Sequence, residues 1–241
     1  MRHFPLVLSI HDVEDFASCE GVRDSYLLIA DSRGRCLHNV GVVKIGETWP
    51  VTRWPLSYTP CAVSASRCGF GERVIVACCD DGFFSKTGKL VELNSRGETV
   101  REIILQSRIT SLSSVRALEG GGYVVSYRGL WCREWEVISS FDDSGNVTKS
   151  YGDWWFPLEG RELLGGKCHM AIDSDGFVFV TDWRKSRIVL LNPSLEYVRS
   201  ISTEFLPKCL HLDKQSRRLF VGHPCYYLFQ KDVNKVSVIS L

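Results

Sequence analysis

The stretch KCHMAIDSDGFVFVTDWRKSRIVLLNPSLEYVRSI, residues 167–201, reads as four short strands separated by tight turns. CHMAID and FVFVTD are apolar and rich in β-forming residues, and the SDG between them places Gly176 where a turn favours positive φ. RIVLLN and YVRSIS follow, joined by the turn NPSLE. Because short turns join neighbouring strands, the sequence predicts a four-stranded antiparallel meander over residues 168–201.

The same unit recurs along the chain. Copies run through AVSAS to TVREIIL, through VRALEGGG to VTKSYG, and through CLHLD, LFVGH, YYLFQ and VSVISL, with a weaker first copy of VRDS, YLLIADS, RCLHNV and VVKIG. The second strands end at Asp31, Asp80, Tyr127, Asp182 and His223, at intervals of 49, 47, 55 and 41 residues. Such periods, with four strands per unit, are typical of a β-propeller. In the blade at 168–201, the Cys168 strand should be innermost and the Tyr197 strand outermost.

The predicted fold is therefore an all-β propeller of four-stranded antiparallel blades, forming a single domain over residues 1–241. We expect a six-bladed type with five clear repeats. FPLVLSI, residues 4–10, is a strand left over: it either belongs to a truncated sixth blade or pairs at the seam of the propeller.

Composition excludes several classes of protein. The 29 basic and 28 acidic residues give a net charge of +1, which argues against a strong global field for nucleic acid but leaves a local basic patch open. No apolar run reaches the length of a membrane span, and the start of the chain shows no secretory signal. The ten cysteines are therefore predicted to be reduced and the protein to be cytoplasmic.

The repeat resembles that of NHL-repeat β-propellers, the domain found in TRIM-NHL proteins. The resemblance rests on Ala171-Ile172-Asp173-Ser174-Asp175-Gly176, Val178-Phe179-Val180-Thr181-Asp182 and Ser186-Arg187-Ile188. These residues are similar to the family's apolar strand, Asp-x-x-Gly turn, apolar strand ending in Asp, and short loop to an Ile. The match is good in this blade and moderate between Val74 and Ile104, and propellers of the lactonase and lyase type share the pattern.

A cysteine position recurs in the first strands. Aligned on the family pattern, Cys19, Cys61 and Cys168 take the second place, and first strands line the central channel of a propeller. One interpretation is a thiolate zinc site completed by His169; the other is that cysteine is a small residue packed at a tight inner position. Tetrahedral zinc would need sulfurs roughly 4 Å apart, which separate blades do not easily supply. We therefore predict no metal and no cofactor, with thiols packed singly and His169 turned toward a neighbouring blade.

The remaining cysteines show no ligand spacing. Cys78 and Cys79 are adjacent on a strand and must point to opposite faces, so they cannot chelate together. Cys36, Cys68, Cys132 and Cys225 are interpreted as packing or surface thiols.

Enzymatic readings are disfavoured. Amidating lyases with a similar repeat place His in that second position, where this chain has Cys or Ser. Lactonase-like propellers need Glu, Asn and Asp around calcium, and no spacing here singles out such a set. The sequence predicts no catalytic residue and identifies no small-molecule substrate. Asp31, Asp80 and Asp182 are expected to cap the turns that follow them.

Two segments are candidates for partner binding. The long loop at residues 152–166 has no strand period and should lie on one propeller face, and the turn after Asp182 is basic and aromatic. Their candidate contact residues are Trp154, Trp155, Phe156, Trp183, Arg184, Lys185 and Arg187. The favoured function is a non-enzymatic platform for a protein or peptide, since Trp is enriched at binding hot spots. The alternatives are RNA binding through a basic face, where Arg and Trp stack on bases, and a metal-dependent lyase or hydrolase.

Overall fold

The computed structural model describes residues 13–20, 25–42, 51–68, 71–79, 87–118, 120–129, 135–152, 163–223 and 235–241. The chain divides into two compact units, Met1–Ile104 and Leu105–Leu241. Each unit is built of antiparallel β-sheets whose strands follow one another in chain order.

The first unit contains two blades. Blade 1 has the strand order β1-β2-β3-β4, with β1 Val13–Glu20, β2 Ser25–Asp31, β3 Cys36–Val42 and β4 Val51–Pro55. Blade 2 follows with β5 Thr59–Cys68, β6 Gly71–Cys79, β7 Thr87–Leu93 and the beginning of β8, which runs over Thr99–Ala117. Their facing sides share one apolar cluster, which includes Leu28, Leu37, Trp54, Val63, Val76 and Val91.

The second unit contains three blades. In blade 3 the later part of β8 pairs with β9 Tyr123–Gly129, followed by β10 Trp135–Phe141 and β11 Val147–Tyr151, and the short β12 Leu164–Gly165 also pairs with β10. Blade 4 has β13 Met170–Ile172, β14 Val178–Asp182, β15 Arg187–Leu191 and β16 Tyr197–Ser202. The last sheet, blade 5, has β17 Cys209–Asp213, β18 Arg218–His223 and β19 Lys235–Ser240. Separate apolar clusters join blade 3 to blade 4 and blade 4 to blade 5.

One turn design closes the hairpin between the third and fourth strands of blades 2, 3 and 4. The side-chain oxygen of the first turn residue accepts hydrogen bonds from the backbone N–H groups two and four residues later, and these first residues are Asn94, Asp142 and Asn192. The fourth residue has positive φ: Gly97 (79°), Gly145 (83°) and Leu195 (57°). Asn and Asp favour such turns because their short side chains replace missing backbone partners.

The structure confirms an all-β propeller with four-stranded antiparallel blades. The strand order of blade 4 runs from the strand after Cys168 to the Tyr197 strand, which confirms the four-stranded antiparallel meander predicted over residues 168–201. Five blades are present in the described part of the chain, not six. FPLVLSI, on which the sixth blade depended, lies outside the described residues.

Three strand boundaries differ from the sequence prediction. The fourth strand of blade 1 is Val51–Pro55 rather than VVKIG, and its first strand begins at Val13, well before VRDS. VSVISL lies in β19, which pairs directly with β18, so it is the third strand of blade 5 and not the fourth. β8 was not foreseen as one strand: it continues from blade 2 into blade 3 without an intervening turn. Among the described residues, no helix has the length and apolar character that a membrane span requires.

Candidate partner-binding surface and buried polar clusters

The turn between β14 and β15 is a short 3-10 helix, Trp183–Lys185. It ends at Ser186, which adopts the left-handed conformation with φ of 49°. Arg184 and Lys185 are exposed, and Trp183 is half-buried. The turn therefore presents two basic side chains from a locally hydrogen-bonded backbone.

The segment that contains β12 packs against this turn. Gly165 N–H donates to the Asp182 carboxylate over 3.1 Å. A Cβ at Gly165 would lie 2.6 Å from Arg184 Cβ, and a Cβ at Gly166 would lie 2.7 Å from Trp183 Cε3. Only glycine permits such an approach, so Gly165-Gly166 allow the segment that contains β12, which we call the strap, to pack directly against the turn. We call the Trp183–Lys185 turn together with Gly165–Lys167 the Trp183 surface.

Arg184 also covers an aromatic ring. Its guanidinium carbon lies 5.7 Å from the centroid of the Trp135 ring, within the range of a cation–π contact. Gly166 lies against the Trp183 ring itself. The rings of Trp183 and Trp135 therefore each contact another part of the described chain.

The pairing of β12 corrects part of the loop prediction. Residues 152–166 were expected to lack strand pairing, but Leu164 pairs with Glu136 and Gly165 with Trp135. Trp154, Trp155 and Phe156 lie outside the described residues. Their role in binding stays a prediction.

Arg187 points inward, away from the basic turn. Its Nε donates to Asp182 Oδ2 over 2.8 Å, and its side chain is only 12% exposed. Asp182 is fully buried and does not cap the turn that follows it, contrary to the prediction for this residue. Asp31 does cap its turn, since its Oδ1 accepts from Gly34 N–H over 2.8 Å. Asp80 lies outside the described residues.

Glu136 forms a buried polar cluster that the sequence analysis did not identify. Its carboxylate accepts hydrogen bonds from the hydroxyls of Ser113 and Ser126 and from Cys168 N–H, the last over 2.8 Å. Burial raises the pKa of Glu136, and these hydrogen bonds oppose that rise. The only sequence signal was a lone acid in the apolar strand WEVISSF, because the serines that bind it come from other strands.

Cys168 is buried beside Glu136, and both ring nitrogens of His169 lie near other protein groups. Burial raises the pKa of the Cys168 thiol, and the nearby Glu136 carboxylate raises it further. His169 Nδ1 accepts from Leu210 N–H of blade 5 over 3.2 Å, and its Nε2 lies 3.5 Å from Arg116 Nη2. His169 thus faces a neighbouring blade, in the expected direction.

Cys61 does not pack singly, contrary to the prediction. A hydrogen bond with Cys79 is the main reason that the pKa of Cys61 is raised, and burial adds to it. Cys78 is buried, which raises its pKa to about 12, while Cys79 is half-buried. Cys19 lies in β1, and nothing of its side chain is described.

A second unforeseen cluster lies in blade 1. Asp31, Cys36 and His38 are 1%, 0% and 7% exposed, and their ligand atoms all lie within 4.8 Å of one another. Cys36 was interpreted as a packing or surface thiol with no ligand spacing. Asp31 lies beside it because the register of β2 and β3 places the two residues opposite each other.

Comparison with known proteins supports the fold. No protein-family model and no curated protein matches the chain, so the resemblance to NHL repeats stays a prediction. Among solved structures, a protein of unknown function from Bacteroides caccae aligns with a TM-score of 0.60 at 14% identity, covering 87% of this chain and 70% of that one. A luciferin-regenerating enzyme aligns with a TM-score of 0.59 at 12% identity, covering 92% and 75%. The Dos1 propeller aligns with a TM-score of 0.52 at 12% identity, covering 86% and 63%. At these identities the likeness concerns the fold alone.

Proposed function

We propose that this chain is a non-enzymatic interaction platform that binds an acidic peptide segment of a protein partner on the Trp183 surface. The observation that carries the proposal is the exposure of Arg184 and Lys185 on a turn fixed by the Gly165-Gly166 strap. A charged group on a fixed backbone loses less conformational entropy on binding than one on a mobile loop. Exposed Lys167, next to Gly166 in the chain, adds a third positive charge to the same segment.

The partly covered rings of Trp183 and Trp135 favour a peptide over RNA. Single-stranded RNA is bound largely by stacking its bases on aromatic faces. Here Gly166 lies against the Trp183 ring and Arg184 lies over the Trp135 ring. The charges remain exposed, and complementary charge is what steers an acidic segment to such a surface.

An enzymatic role for the Cys168–His169 pair has less support. Both ring nitrogens of His169 have protein neighbours, and the Cys168 thiol is buried with a raised pKa. A thiol in that state is a poor nucleophile and a poor metal ligand.

Two finer assignments accompany the proposal. We place the chain among NHL-like propellers, supported by the Asp173-x-x-Gly176 turn, in which Asp173 Oδ1 accepts from Phe177 N–H over 2.8 Å. We also place it in the cytoplasm, supported by cysteines that are present as thiols, among them Cys36, Cys78 and Cys168.

The test measures binding to defined probes. The purified chain is titrated with a fluorescent library of Asp- and Glu-rich peptides and, separately, with a mixed-sequence single-stranded RNA. We expect at least one acidic peptide to bind with an affinity that falls as salt rises, and R184E/K185E to weaken it at least tenfold. The matched control, R96E/R199E, reverses two exposed charges elsewhere and should leave binding unchanged. Binding of the RNA but of no peptide, or equal loss in both variants, would overturn the proposal.

Trp154 and Trp155 are tested on the same probes. If they contribute to the platform, W154A/W155A should weaken peptide binding while the melting temperature stays nearly constant. A large fall in melting temperature would show instead that these residues belong to the core.

A further inference from the structure

The β2–β3 hairpin of blade 1 brings three metal-ligating side chains to one face of a sheet. Its sequence from residue 31 to 38 is Asp-Ser-Arg-Gly-Arg-Cys-Leu-His. Asp31 and Cys36 are directly opposite each other in the antiparallel register, and Ile29 is opposite His38. Because side chains alternate along a strand, Asp31, Cys36 and His38 share one face, while Ala30 and Leu37 point into the apolar cluster on the other.

The three ligand atoms converge on a small volume. His38 Nε2 lies 3.2 Å from Asp31 Oδ2 and 3.5 Å from Cys36 Sγ. Tetrahedral zinc with bonds of about 2.0–2.1 Å to N and O and about 2.3 Å to S separates its ligand atoms by roughly 3.3 and 3.6 Å. The observed distances are close to these, so little movement would be needed to admit the ion.

The arrangement differs from a catalytic relay. In a Cys-His-Asp triad, the thiol and the carboxylate bind opposite nitrogens of the imidazole. Here both lie against Nε2, and that nitrogen has a single proton or lone pair to offer. Three groups that converge on one point are suited to sharing a cation, and carboxylate, imidazole and thiolate are all zinc ligands.

The carboxylate is also oriented for this role. Gly34 N–H donates to Asp31 Oδ1, the oxygen that does not contact His38. A hydrogen bond from the protein to the outer oxygen of a ligand fixes its direction, as is usual around bound metals. A Cβ at Gly34 would lie 2.5 Å from Asp31 Oδ2, so the turn must have glycine there for the carboxylate to occupy this place.

We propose that Asp31, Cys36 and His38 form a zinc-binding site, with the fourth coordination position left to water. The site is built within one hairpin of the first unit and does not rest on the Trp183 surface. It is also separate from the channel cysteines considered in the sequence analysis.

Metal titration of the intact protein tests the site. The chain is purified with chelator, freed of it, and titrated with Zn²⁺ and with Co²⁺. We expect one tight equivalent of zinc, a higher melting temperature in its presence, and a thiolate-to-cobalt charge-transfer absorption band with Co²⁺. C36S should abolish the band, and H38A should weaken zinc by more than the roughly 10–100-fold that loss of an outer partner costs.

C209S is the matched control, since Cys209 is exposed and lies in another blade. It should retain the stoichiometric zinc and the cobalt band. The proposal is overturned if wild-type protein binds no stoichiometric zinc, if it gives no thiolate band with Co²⁺, or if the band survives C36S. The first two measurements use the wild-type chain, so they decide the matter even if a variant fails to fold.

Discussion

The hairpins at the second and third strands of blades 1 and 4 have one geometry and two chemistries. In each, a buried aspartate ends the second strand, four turn residues follow, and the last of these is left-handed: Arg35 with φ of 47° and Ser186 with φ of 49°. Asp31 lies opposite Cys36, and Asp182 lies opposite Arg187. Blade 4 therefore sets its acid against a guanidinium, whereas blade 1 sets it against a thiol with an imidazole beside it.

The difference shows which feature the repeat conserves within this chain. The backbone fixes where the acid lies and which residue faces it, because turn length and register agree in both blades. The chemistry of the facing residue is independent of that backbone. In blade 4 Asp182 and Arg187 form a structural ion pair. In blade 1 the equivalent positions hold two of the proposed zinc ligands, Asp31 and Cys36.

Removing the arginine should have the largest effect. R187M would leave the Asp182 carboxylate buried opposite an apolar side chain, and breaking a buried pair in this way costs about 3–5 kcal/mol. Urea denaturation followed by fluorescence measures this change in the free energy of unfolding. A loss below about 1 kcal/mol would mean that Gly165 N–H alone is enough to hold the buried charge.

Removing the aspartate of blade 1 should cost less. D31A deletes the hydrogen bond to Gly34 N–H and the contact with His38, for a loss of about 1–3 kcal/mol in metal-free protein. D31N keeps an oxygen for Gly34 and should lose less than D31A. If D31A proves as costly as R187M, the acid of blade 1 stabilises its hairpin as much as the Asp182–Arg187 pair stabilises that of blade 4.

Glu136 extends the comparison to an acid held mainly by hydroxyls. Its pKa is raised by burial in the folded state, so between the unfolded value near 4.5 and the higher folded value the folded chain binds more protons than the unfolded one. Stability contributed by the protonated form is therefore present at low pH and is lost as pH rises through that window. E136Q should flatten this part of the stability–pH curve. An unchanged slope would mean that another group causes it.

The left-handed turn residues should give the smallest effect. R35G and S186G each relieve about 1–2 kcal/mol of steric cost and add about 0.5–1 kcal/mol of backbone entropy loss. We expect a net change within about 1 kcal/mol, equal in the two hairpins, measured by thermal denaturation. Unequal changes would show that the two turns are not equivalent despite their matching φ values.

Much of the fold could be predicted because local pattern determines it. The alternation in FVFVTD and the Asp173-x-x-Gly176 turn are short-range signals, and blade 4 formed as they indicate. The strap at Leu164–Gly165 was missed because a strand of two residues has no period to recognise in the sequence, and its pairing with β10 is a tertiary contact.

The polar clusters could not be predicted for a related reason. A ligand search by sequence looks for spacings such as Cys-x-x-Cys, whereas Asp31 meets Cys36 and His38 across a hairpin. Glu136 is bound by serines 10 and 23 residues away, so its environment depends on three strands at once. The sequence suggested that Arg187 is exposed, but its side chain is turned inward and pairs with the buried Asp182 carboxylate.

The turns headed by Asn94, Asp142 and Asn192 have a consequence for the order of folding. Each joins strands adjacent in sequence, and such hairpins close within about 1–10 μs, faster than contacts between distant segments. Gly97 and Gly145 adopt the left-handed conformation without steric cost. Leu195 adopts it at a steric cost, which is offset only when its side chain is buried among the strands of blades 3 and 4. The last hairpin of blade 4 should therefore close late in folding, after the neighbouring strands have formed the apolar cluster that buries Leu195. The corresponding hairpins of blades 2 and 3 should instead form early and nucleate the folding of their blades.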